Sequence, residues 1–288
     1  MRRSLIAVVP AVALLLAACG SSTSSSSAPA ASGTSASATC SPSSLQTLAP
    51  GKFTVATGTP AFSPWVIDDK PESGKGFESA VTYAVAKKLG YADADVVWMR
   101  TGFDEAIAPG PKKFDVNIQQ FTISEDRTKA VDFSSGYYDL TQAVVTYKGS
   151  PIANAKSLAD LKSAKLGAAV GTTSLDAITA SIQPTTAPKV YNTNDDAVAA
   201  LKAKQIDGLV VDLPTAFFIA FGELDNGVLI GQLPNSADQK EQLGFLLAKG
   251  SPLTQCVTQA VDALRADGTL AKLQDQWLSA SAGAPVLP

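Results

Sequence analysis

Histidine is absent from the 288 residues, which removes His-based catalytic triads, His-ligated metals and imidazole proton shuttling. Charge is scarce as well. Charged residues make up 17% of the chain, 23 basic against 26 acidic, for a formal net charge of −3. Without a long Lys/Arg run there is no basic face to neutralise phosphates, so nucleic acid is excluded as a partner. Cysteine is limited to Cys19, Cys40 and Cys256. What remains is a chain 45% hydrophobic, long enough to bury two cores.

The N-terminus reads as an address. Arg2 and Arg3 form a charged start, Leu5 to Leu16 an apolar run too short to cross a bilayer, and Ala17-Ala18-Cys19 follows directly. This run resembles a bacterial lipobox, which implies cleavage after residue 18 and lipidation of Cys19. The expected segments are a signal peptide over 1–18 and a tether over 19–40. Residues 20 to 39 are mostly Ser, Ala and Thr without charge, a composition with a reach of about 25 Å. Cys40 and Cys256 are an even pair in an oxidising compartment, read as one disulfide, with two buried thiols as the alternative.

Beyond the tether, short β-rich runs alternate with helical ones. Strands are expected at 53–57, 96–99, 116–118, 143–147, 166–170, 208–211 and 244–248. Helices are expected at 78–89, 174–182, 195–203 with Asn194 as cap, 253–266 and 269–278. The alternation predicts an α/β fold with largely parallel sheets, divided between two lobes.

Four local patterns invite chemistry. Thr122 and Glu125 have capping-box spacing, which puts Arg127 near a helix start, where a guanidinium can clamp a carboxylate. Its alternative is a surface ion pair with Glu125, Asp126 or Asp132. Leu209-Val210-Val211-Asp212 runs an apolar strand into a carboxylate. That acid either accepts an ammonium at a cleft or simply starts a helix beside Pro214. Gly171-Thr172-Thr173 offers amides and hydroxyls at a strand-to-helix turn. Phe62, Trp65 and Phe103 sit in Pro-rich or polar loops and either wall a ligand or join the core.

In this order the pieces resemble the bacterial extracellular solute-binding proteins of family 3, the polar amino-acid receptors of ABC importers. The markers are Gly76-Phe77-Glu78, Phe114-Asp115, the 122–127 and 131–138 runs, Gly171-Thr172-Thr173, Asp207 to Asp212 and Asp267-Gly268-Thr269-Leu270. The resemblance implies a type II periplasmic-binding-protein-like fold with a two-strand hinge near 143–146 and 244–246. Lobe 1 is then 41–145 plus 244–288, and lobe 2 is 146–243. It further implies that Arg127 clamps the α-carboxylate with help from Thr172 and Thr173. Asp212 receives the ammonium with Thr122 and a main-chain carbonyl at Gln120, and the aromatics form walls. No cofactor, metal or catalytic residue is implied. The partners would be a polar amino acid and a permease in the cytoplasmic membrane. The protein would be a monomer held on the outer face through Cys19.

Departures shape the expected ligand. Thr59 stands where receptors for cationic amino acids often carry an acid, which favours a neutral or acidic ligand over a cationic one. Gln119 and Gln120 replace small residues, so an amide is expected in the pocket. The alternatives in other functional classes are a secreted cyclohexadienyl dehydratase on the same architecture and a sensor subunit.

Overall fold

The structure, a computed structural model, describes residues 40–235, 241–281 and 283–288; Cys19, the signal segment and the tether up to residue 39 lie outside them. Two five-stranded sheets carry the fold. The first contains β1 (Phe53–Thr57), β2 (Val96–Arg100), β3 (Val116–Asn117), β4 (Val131–Phe133) and β12 (Leu246–Ala248), in the order β2-β1-β3-β12-β4. The second contains β6 (Gln142–Tyr147), β7 (Leu166–Ala169), β8 (Lys189–Tyr191), β9 (Gly208–Asp212) and β10 (Gly227–Gln232), in the order β10-β6-β9-β7-β8. Between them β5 (Tyr138–Leu140) pairs antiparallel with β11 (Glu241–Leu243).

Both sheets are mixed rather than largely parallel. β1 runs parallel to β2 and β3, and β7 to β8 and β9, but β12, β6 and β10 run antiparallel to their neighbours. The strands that break the rule are those joined to the crossing between sheets. That crossing occurs at β5 and β11, a few residues before the positions expected, because 143–147 belongs to the interior of the second sheet.

Strand periodicity explains how each sheet is covered on both faces. In β6 and β9, Ala143, Val145, Leu209 and Val211 enter one core, while Val144 and Val210 enter the opposite one. The first core is filled by α5 (Asn194–Lys202) and α6 (Leu213–Phe218), the second by Leu166, Ile178 and Ile182. On the first sheet, Val55 and Leu247 face the large core built with α1 (Phe77–Lys88), α7 (Thr254–Ala266) and α8 (Thr269–Leu278). Ala56 and Leu246 face a smaller cluster. The last residues return to the second sheet. Leu287 is buried in its core and donates to the Gln232 carbonyl at 2.9 Å, although 244–288 was grouped with the first.

Local starts differ instructively. Ser124, not Thr122, caps α3 (Glu125–Ala130) by accepting from the Arg127 N–H, and Thr193, not Asn194, caps α5. Gly76 precedes α1 at φ 100°, and a Cβ there would stand 2.5 Å from the Trp65 carbonyl oxygen, so the turn into α1 admits only glycine.

Cys40 and Cys256 form a disulfide that ties the start of the body to α7 across 216 residues. Closing so long a loop removes unfolded-state entropy. Reduction is expected to lower stability by about 2–4 kcal/mol, read as an earlier denaturant midpoint in the presence of reductant.

Candidate functional site

A cavity of about 310 Å³ opens between loops of the two sheets. Its walls come from the β1 loop at Thr59 and Phe62, the start of α2 (Phe103–Ile107), the segment Gln119 to Thr122 after β3, Arg127 on α3, Thr172 to Ser174 after β7, and Asp212 at the end of β9. These are the C-terminal ends of strands, where open α/β sheets bind ligands.

Arg127 is 9% exposed. Its guanidinium donates to the Thr122 carbonyl at 2.8 Å and to the Gly171 carbonyl at 2.9 Å, and lies 5.3 Å from the centre of the Phe103 ring. The Phe103 ring stacks on Phe121 at 4.8 Å. Burial lowers the Arg127 pKa, while Asp212, Asp176, Glu241 and Asp104 counter that loss. Two of the five guanidinium N–H donors are thus fixed on backbone oxygens, which sets the plane of the group at the cavity wall.

Asp212 ends β9 and precedes α6, which begins Leu213-Pro214. It stands at the start of α6 beside Pro214, as the helix-start alternative has it, but makes no side-chain cap there. Instead its Oδ1 accepts from Gln142 Nε2 at 3.1 Å. Burial pushes its pKa up to about 7, Glu241 and Glu78 push the same way, and the Gln142 hydrogen bond and Arg127 oppose them. Gln142 also donates toward Thr173 Oγ1 and Glu241 Oε2, each at 3.2 Å, and accepts from Ser174 at 2.7 Å. Among the described residues, neither Arg127 nor Asp212 forms an ion pair. Two groups of opposite sign on one cavity, neither in a direct ion pair among the described residues, suit a ligand that carries both signs.

Residues 54–280 match the bacterial extracellular solute-binding proteins, family 3. The chain belongs to this family. It is 28% identical over 225 residues to the L-arginine-binding protein of Pseudomonas aeruginosa, covering 76% of this chain and 85% of that one. It is 28% identical over 207 residues to the L-cystine-binding protein TcyJ of Escherichia coli K12, covering 71% and 74%. Among solved structures, an ancestral arginine-binding protein bound to glutamine superposes with a TM-score of 0.66 at 31% identity, covering 79% of this chain and 98% of that one. The type II periplasmic-binding-protein fold expected from the sequence is therefore the fold observed.

Within this solute-binding protein, Thr122, Thr172, Thr173, Gln120, Phe62 and Phe103 all line the cavity together with Arg127 and Asp212. Thr122 and Thr173 meet across it, their hydroxyls 3.3 Å apart. Trp65 does not line it. The indole is fully buried against Phe77 and Tyr138, and its Nε1 donates to Thr215 Oγ1 at 2.8 Å. The large apolar ring gains more by packing in the core than by walling a wet cleft. The Gln120 amide does not project freely either, since it is hydrogen-bonded to the buried Glu78.

Several cavity residues escaped the sequence analysis. Asp104 and Glu105 open α2 and line the cavity, as do Asn192 and Asn194. The acids supply negative charge that Thr59 lacks, and one relative is named for arginine and another for the neutral L-cystine, so the expected preference for neutral or acidic ligands over cationic ones finds no support here. Gln119 lines the same wall with a buried Oε1 that has no partner among the described residues.

Proposed function

We propose that this chain is a lipid-anchored receptor on the outer face of the cytoplasmic membrane, which closes on a polar amino acid and delivers it to an ABC importer permease. The observation that carries this reading is the unpaired Arg127 and Asp212 on one cavity. Arg127 takes the ligand carboxylate through parallel hydrogen bonds, and Asp212 takes the ammonium. Thr122, Thr172 and Thr173 add hydroxyl contacts.

The two charges come from different sheets, so one ligand bridges two lobes. One lobe comprises about 40–140 with 241–281, the other 142–235 with the C-terminal residues, and β5 and β11 form the hinge. A ligand that touches both poles favours the closed arrangement and shifts the population toward it. The contacts of Arg127 with Gly171 and of Thr122 with Thr173 support a closed arrangement, since each spans the two lobes.

Once the ligand backbone is neutralised by Arg127 and Asp212, Asp104 and Glu105 remain on the cavity wall. They favour a side chain rich in donors, cationic or amide, over an acidic one. The relatives named above are binding proteins, and the dehydratase alternative draws its support from a solved ancestral amino-acid-binding protein that is a precursor of cyclohexadienyl dehydratase.

A thermal-shift screen over the twenty amino acids tests the reading. Arginine, glutamine or a similar ligand at a thousand times its Kd should stabilise by about 4 kcal/mol. No shift with any amino acid would overturn the assignment.

A further inference from the structure

Glu78, the second residue of α1, has no solvent exposure. A buried carboxylate needs donors, and this one has three. The Gln120 backbone N–H donates to Oε1 at 2.8 Å, the Gln120 side-chain amide donates to Oε2, and the Tyr137 hydroxyl donates to Oε1. Two of the three therefore belong to one residue, and that residue lines the ligand cavity.

Gln120 also has φ 50°, in the left-handed region that non-glycine residues avoid. Something must hold it there. In its ionised form the Glu78 carboxyl only accepts, so it can take a backbone donor and a side-chain donor at once, whereas an amide at the same place would turn an N–H toward one of them.

We propose that Glu78 is a positioning residue of the amino-acid site, which locks Gln120 in the left-handed conformation and ties its backbone N–H and its side-chain amide nitrogen to the carboxyl. The Gln120 oxygens are then left for a bound ammonium. The Gln120 donors would otherwise repel the group that Asp212 attracts. This proposal rests on the amino-acid reading above.

The test uses Glu78→Gln, Gln120→Gly and the double variant, with L-arginine and L-glutamine as probes in calorimetry and with melting temperatures measured alongside. Glu78→Gln keeps the core volume and is expected to weaken binding tenfold or more. Gln120→Gly sets its own baseline, because glycine adopts the left-handed conformation without a clamp and carries no side-chain amide. Adding Glu78→Gln to Gln120→Gly should change affinity by less than threefold, while the melting temperature falls to the Glu78→Gln value. A Glu78→Gln variant that binds like the parent, or a double variant tenfold or more weaker than Gln120→Gly, overturns the proposal. Hydrogen exchange at the Gln120 amide reads the clamp without ligand. Slow exchange in the parent that speeds at least tenfold in Glu78→Gln supports it, and fast exchange in the parent overturns it. If neither probe binds the parent, the amino-acid reading fails for these ligands, and exchange alone judges the clamp.

Discussion

Arg127→Ala is expected to cut amino-acid affinity by a factor of about 30 to several thousand while the protein still folds. The range follows from the cost, about 2–5 kcal/mol, of removing one member of a buried, hydrogen-bonded charge pair. The fold should survive because, among the described residues, the Arg127 side chain hydrogen-bonds only to the Thr122 and Gly171 carbonyls, which cavity water can reach once the side chain is gone. Arg127→Lys should fall between, since an ammonium keeps the charge but loses the fork that matches a carboxylate. Calorimetry measures the affinities, and thermal unfolding checks that the variants fold. Affinity unchanged in Arg127→Ala would remove the carboxylate assignment.

Affinity should also fall as pH drops below about 7. Asp212 carries a pKa raised to about 7 in the ligand-free protein, so near neutrality it is partly protonated. An ammonium binds the ionised form and lowers that pKa, which means binding releases a proton. Above about pH 8 affinity should be flat, and below 7 it should fall by up to about tenfold per pH unit. Glu78, also pushed to about 7 by burial, shares the field, so the midpoint belongs to the pair. Asp212→Asn isolates one share of it. That variant should bind about a hundredfold more weakly, by the same pairwise cost, and should lose most of the pH dependence. Calorimetry in buffers of different ionisation enthalpy reads the proton release directly. A pH-independent affinity between 5.5 and 8.5 in the parent would contradict the role of Asp212.

How much of this was legible beforehand differs between the poles of the site and its walls. Asp212 ends β9 and Arg127 lies near the start of α3, positions that the apolar run before Asp212 and the capping pattern before Arg127 allow one to anticipate. Which neighbour caps α3 could not, because Thr122 and Ser124 both precede an acid at a plausible distance. A distant strand decides it by drawing Thr122 into a bridge with Leu243. Trp65 and Phe62 are three residues apart in a loop without periodicity, and Trp65 is drawn into the core by Phe77, Tyr138 and Thr215, the last 150 residues away. Asp104 and Glu105 were hidden by the ordinary preference of acids for helix starts. Gln142 is simply the first residue of a strand, and its four hydrogen-bonding neighbours lie at least 31 residues away in sequence. Strand direction failed for the same reason. The antiparallel placement of β6 and β10 depends on pairings that no local window contains.

The most direct measurement is a crystal structure of the protein with the amino acid that gives the largest thermal shift. It should show the ligand carboxylate hydrogen-bonded to the Arg127 guanidinium and the ammonium on the Asp212 carboxylate, one molecule spanning both sheets. A ligand held with either pole on other side chains, or bound outside this cavity, would contradict the account.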